Sequence, residues 1–103
     1  MKRLLLAALA ALPIMAHAKP IEVPTNCRQV YFTAQGIMEL RQMGIDMPVL
    51  VEMTAHHKGL QRIALEAYKE PRYRTAAFQE KLARDFAEDY YNACYEINGA
   101  KEF

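Results

Sequence analysis

The chain contains no serine at any of its 103 positions. A Ser-His-Asp hydrolase therefore has no nucleophile here. The four threonines are poor substitutes, because Thr25 and Thr75 stand where helix caps are wanted. The four glycines are isolated from one another, so no glycine-rich loop is available to cradle a phosphate. Paired carboxylates could work as acid and base, but the acidic residues sit among charged neighbours in helical patterns, as on a solvated face. No stretch alternates polar and apolar for more than a few residues, and there is no internal repeat or low-complexity tract. The longest apolar run, Leu4 to Met15 with Pro13 inside it, falls well short of the roughly 20 residues a membrane span needs. Charge of one sign is also lacking: the formal net charge is +1, which excludes a strongly basic nucleic-acid binder. The length leaves room for one domain. These absences point away from an enzyme and call for no cofactor.

The first residues have a pattern of their own. Lys2 and Arg3 precede the apolar run, and Ala16-His17-Ala18 supplies the small-x-small triplet that signal peptidase reads. Residues 1–18 are expected to be a signal peptide cut after Ala18. Two of the 13 basic residues leave with it, so the remaining chain carries −1 against its 12 acidic residues. The first residue after the cut is Lys19 rather than a cysteine, which argues against a lipid anchor and for a periplasmic or secreted product.

Two cysteines remain, Cys27 and Cys94, and an exported chain meets an oxidising environment. There is no Cys-x-x-Cys, and neither cysteine has a histidine nearby in sequence, so reactive or metal-binding thiols are the weaker alternative. A Cys27–Cys94 disulfide is expected. It encloses most of the exported chain, and closing a loop of that size contributes up to about 4 kcal/mol.

The rest reads as helix. Residues 19–26, with two prolines, are expected to be extended and mobile. A first helix is expected from Cys27 to Met43, capped by Thr25 or Asn26 and stopped by Gly44, with Cys27, Val30, Tyr31, Ala34, Ile37 and Met38 on one face. In the middle, Asp46 can cap and Pro48 fits a first turn. The apolar phase breaks across His56-His57-Lys58-Gly59, which predicts two short helices, 47–56 and 60–69, jointed at Gly59; one continuous helix is the alternative. Pro71 ends the second. The last helix is expected from Ala76 to Asn98, capped by Thr75 and stopped by Gly99, with a stripe from Phe78 through Leu82, Phe86 and Tyr90 to Ile97. Lys81–Asp85 and Arg84–Glu88 are spaced to pair. The expected fold is all-α: a small antiparallel bundle of three to four helices, residues 27–99, stapled by one disulfide and followed by a short tail, 100–103. The disulfide joins opposite ends of the first and last helices, with the middle helices packed across them.

Two groups of residues invite a functional reading. His56, His57 and Met53, with Met43, Met47 and Glu52 nearby, offer soft and borderline ligands of a kind used for copper. Against this, adjacent helical residues point about 100° apart, and methionines commonly fill small cores. The second group is Tyr68, Arg72, Tyr73 and Arg74, on the connection broken by Pro71. Residues 58–74 carry a net +3, while Glu80 to Phe103 carry −3. Arginine and tyrosine on a connection are what protein interfaces favour. The structural alternative is that both tyrosines pack inward and the arginines cap helix ends. Tyr91 and Tyr95, with Phe103, are a second candidate face.

With its early Cys27, Ile37-Met38-Glu39-Leu40-Arg41-Gln42-Met43-Gly44, Glu66-Ala67-Tyr68-Lys69-Glu70-Pro71 and late Cys94, the chain resembles small exported two-cysteine helical proteins of proteobacteria and their prophages. No catalytic residue carries over from that resemblance. In size, export and single disulfide it is also similar to periplasmic helical immunity proteins, which neutralise cell-wall-degrading toxins. The expected function is protein–protein interaction outside the cytoplasm, of immunity, inhibitor or phage-exclusion type, with an exported or periplasmic protein as partner. The alternative is a periplasmic metal-binding protein.

Overall fold

The computed structural model of the chain describes residues 19–98. The expected signal peptide, the Gly99 stop and the 100–103 tail lie outside the described residues. Four helices follow one another: α1, Cys27–Gln42; α2, Met47–Thr54; α3, Lys58–Ala67; and α4, Ala76–Asn98. No β-strand is present among the described residues. No helix among them is long and apolar enough to cross a membrane.

α1 forms where its capping and its period agree. Asn26 Oδ1 accepts from the Gln29 amide at 2.9 Å, and the Gln29 side chain reaches back to accept from Thr25 N and Thr25 Oγ1, each at 2.8 Å. Three polar groups at the helix start are thus satisfied reciprocally. Val30, Ala34, Ile37 and Met38 are buried at the expected spacing. The helix ends in a Schellman motif: Ile45 N donates to Leu40 O at 3.2 Å and Gly44 N to Arg41 O at 3.0 Å. Gly44 has φ +95°, and a Cβ there would meet the Arg72 guanidinium at 3.0 Å. Both the backbone and the close approach require glycine.

The middle helices differ from expectation at their joint. They run 47–54 and 58–67, and the break falls at 55–57 rather than at Gly59. The reason is a cap the sequence reading missed. His57 has extended backbone, and its Nδ1 accepts from Leu60 N at 3.3 Å, so α3 starts two residues early. Gly59 sits inside the first turn, where a Cβ would meet the His57 ring at 3.0 Å. Its missing side chain makes room for the cap. Asp46 occupies the cap position of α2 but makes no side-chain cap bond. Pro48 has no amide to offer, and Val49 N is satisfied by the Asp46 carbonyl at 3.0 Å.

α4 has the expected bounds, with Thr75 Oγ1 accepting from Phe78 N at 3.3 Å. Its buried stripe is shorter than the period implies. Ala83, Ala87 and Cys94 are buried, flanked by half-buried Leu82, Phe86 and Tyr90. Phe78, Ala93 and Ile97 are exposed instead, Ile97 by 82%. At 23 residues α4 is about 10 Å longer than the 16-residue α1, so among the described residues its ends extend past the helix it packs on. Lys81 and Asp85 pair at 2.6 Å on the exposed side, and this is the one ion pair among the described residues. Arg84 and Glu88 do not pair.

α1 and α4 are antiparallel and make the main contact. At one end Cys27 and Cys94 form a disulfide with Cα atoms 5.6 Å apart, packed with Val30 and half-buried Tyr90 and Tyr91. Between the ends, Ala34, Ala83 and Ala87 are fully buried, which lets the two backbones come close. Leu50 of α2 and Ile63, Ala64 and Ala67 of α3 complete the same core. The middle helices lie against α1 and each other more than across both long helices. α3 is nevertheless tied to α4 by Tyr90, whose hydroxyl donates to Glu66 Oε1. Burial, then that bond and the Glu66 charge, raise the Tyr90 phenol pKa, with Arg62 opposing.

The N-terminal segment is extended, as expected, but it is anchored. Ile21 packs on the core, its N–H donates to Met53 O at 3.0 Å, and its carbonyl accepts from His56 Nε2 at 2.8 Å. Pro24 is buried. Residues that bury apolar surface and satisfy their backbone groups are held, whatever their distance from a helix.

Candidate functional site

The connection between α3 and α4 holds the residues singled out from sequence, and the C-terminal turn of α1 grips it. Gln42 is buried at the end of α1. Its Nε2 donates to Pro71 O at 2.9 Å, and its Oε1 accepts from Tyr73 N at 2.8 Å. One side-chain amide thereby pairs with the connection as a neighbouring strand would. Next to it Arg41 Nη2 donates to Glu70 O at 3.2 Å, and Arg72 Nε donates to Gln42 O at 2.9 Å, satisfying a carbonyl of the α1 C-terminus. From the other side Gln79 Nε2 donates to Tyr73 O at 2.7 Å. Residues 70–73 are thus fixed by bonds from α1 and α4.

This clasp divides the four candidate residues. Tyr68 faces inward: its ring lies under the Arg41 guanidinium, 4.8 Å from Cζ to centroid, and its hydroxyl donates to Ile45 O. Burial raises its phenol pKa, Arg41 works against that, and Asp46 adds to it. Tyr68 pins α3 to the turn after α1. Arg72 has one nitrogen committed to α1 while the rest of its side chain crosses Gly44. Tyr73 and Arg74 face outward. Tyr73 is 41% exposed although both its backbone polar groups are bonded. Arg74 is exposed and has no hydrogen-bond or ion-pair partner among the described residues.

The structure adds a residue that periodicity assigned to the core. Phe78 is 59% exposed, and its ring lies 5.8 Å from that of Tyr73, tilted by 34°. The two rings form one wall of a shallow cleft with Lys81, Leu82 and Asp85. Tyr73 also borders a polar recess lined by Arg72, Arg74 and Gln79. Aromatic, apolar and cationic groups therefore meet around one ring. The signal in the sequence was helical phase: at about 100° per residue Phe78 lies about 140° round α4 from Ala83, on the side turned away from α1.

The other candidates have separate places. The His56 and His57 rings are engaged with Ile21 O and Leu60 N respectively. Met53 is half-buried against the core, while Met43 and Met47 are exposed. Among the described residues no three His, Cys, Asp or Glu side chains gather closely enough to hold a metal ion. Tyr91 and Tyr95 lie at the disulfide end, 6.0 Å apart, and Tyr91 meets Tyr31 at 6.3 Å. Phe103 lies outside the described residues.

Comparison of the chain with protein-family models, curated proteins and solved structures finds no match.

Proposed function

We propose that the protein is exported and acts without catalysis, by binding another exported or periplasmic protein through the face around Tyr73, Arg74 and Phe78, in an immunity, inhibitor or phage-exclusion role. The observation that carries this reading is the combination of a fixed backbone with exposed side chains. Tyr73 is held through both its N–H and its C=O, yet its ring, the Phe78 ring and the Arg74 side chain remain open. Such a face loses little conformational freedom on binding, so more of its contact energy appears as affinity. Aromatic and arginine side chains are also the ones that dominate interface energetics. Export is supported by the disulfide and by the sequence pattern of residues 1–18.

Protein recovered from the periplasm should have the mass of Lys19–Phe103 with its two cysteines oxidised. Used as bait in periplasmic extract, it should retain a discrete partner. Replacing Tyr73, Arg74 and Phe78 together by alanine should abolish that capture and leave thermal unfolding within a few degrees of wild type. Arg72 is left in place because it closes the end of α1. Unchanged capture by the folded triple variant would place the binding face elsewhere, with Tyr91 and Tyr95 next to be tested.

A further inference from the structure

The two hollows that share Tyr73 differ in chemistry. One is an apolar cleft, with the Tyr73 and Phe78 rings and Leu82 as its walls and floor. Its one charged pair, Lys81 and Asp85, is already closed on itself at 2.6 Å. The other is polar and cationic. Arg72 has only its Nε bonded, to the Gln42 carbonyl, which leaves the two terminal nitrogens of its fork without a partner among the described residues. Arg74 beside it has none at all among the described residues. Neither arginine has an acidic side chain paired to it. Two unpaired guanidinium groups next to an open aromatic cleft are complementary to a ligand that carries both a carboxylate and a large apolar side chain.

We infer that this face takes an acidic segment of the partner protein, with one aromatic or branched apolar side chain in the Tyr73–Phe78–Leu82 cleft and a carboxylate a position or two away on Arg72 and Arg74. The inference rests on the reading of the protein as an interaction module and names the chemistry of its partner. Both hollows border the same ring, so a short stretch of extended chain reaches from one to the other. The guanidinium fork matches the two oxygens of a carboxylate, and the ring faces beside it hold the apolar group in place. An anionic membrane offers similar charges but fits less well. Glu88 and Asp89 are exposed on α4 one turn beyond the paired Asp85, and a lipid surface laid along that side would meet their negative charge.

Fluorescence anisotropy on the full exported chain tests this, with a labelled peptide of aspartates flanking a single phenylalanine as probe. Saturable binding is expected. It should weaken about tenfold or more with Arg74→Gln, with Phe78→Ala, and when alanine replaces the phenylalanine of the peptide. Absence of saturable binding would overturn the inference. So would binding that survives Phe78→Ala, since that is charge attraction alone, or binding to phosphatidylglycerol vesicles in place of the peptide. If periplasmic capture depends on Tyr73 and Phe78 while the peptide does not bind, the acidic chemistry is wrong and the interaction face stands. If capture is indifferent to both residues, the underlying reading falls with it.

Discussion

Replacing Cys27 and Cys94 together by alanine should lower the unfolding temperature by roughly 15–30 °C, the largest single loss available in this chain. The bridge joins residues 67 apart in sequence, so breaking it frees most of the described chain in the unfolded state. A loop of that size accounts for up to about 4 kcal/mol, against a net stability of about 5–10 kcal/mol for a domain this small. Packing makes the loss worse. The disulfide and Val30 are the fully buried part of a cluster at that end, with only half-buried Tyr90 and Tyr91 against them. The double variant leaves no odd thiol to form a dimer. Thermal unfolding followed by circular dichroism gives the answer. A shift of less than about 5 °C would mean that helix packing alone holds the ends of α1 and α4 together.

Gln42→Leu is expected to be the second most damaging change, at about 2–4 kcal/mol. Leucine fits the volume but removes both bonds to the connection, from Nε2 to Pro71 O and from Tyr73 N to Oε1. Each partner group left unpaired costs about 1–3 kcal/mol where water does not replace the bond. These groups are only partly buried, which keeps the total below the sum for a sealed core. The midpoint of urea unfolding measures the cost. Hydrogen exchange at the Tyr73 amide locates it: that amide should be protected in wild type and should exchange far faster in the variant while α1 and α4 amides keep their relative protection. Equal protection of Tyr73 in both proteins would show that Gln42 does not hold the connection.

Gln42 also shows where sequence reasoning stopped. The long helices were legible because their apolar residues recur without interruption and Asn26, Gly44 and Thr75 stand where caps are needed. A glutamine in the last turn of a helix reads as surface. Its burial comes from groups 29 and 31 residues away, and helical period carries no information about them. Tyr68 was hidden for the same reason, since its partner is the carbonyl of Ile45 across the turn after α1. His57 misled in another way. Two adjacent histidines invite a ligand reading, whereas one of them caps α3 and the other ties down the segment at Ile21. Phe78 fits a four-residue spacing with Leu82 and Phe86, but that spacing drifts round the helix, and Phe78 ends about 140° from buried Ala83. The candidate face was therefore half legible. Tyr73 and Arg74 could be named from the proline-broken connection, while Phe78 and the clasp beneath them needed the fold.

The interaction face itself is tested most directly by photo-crosslinking in living cells. With p-benzoylphenylalanine in place of Phe78, irradiation should join the protein to one discrete partner. The same replacement at Ile97, which is 82% exposed on the same helix but near the disulfide end, should give no adduct. An adduct from position 97 and none from position 78 would contradict the account.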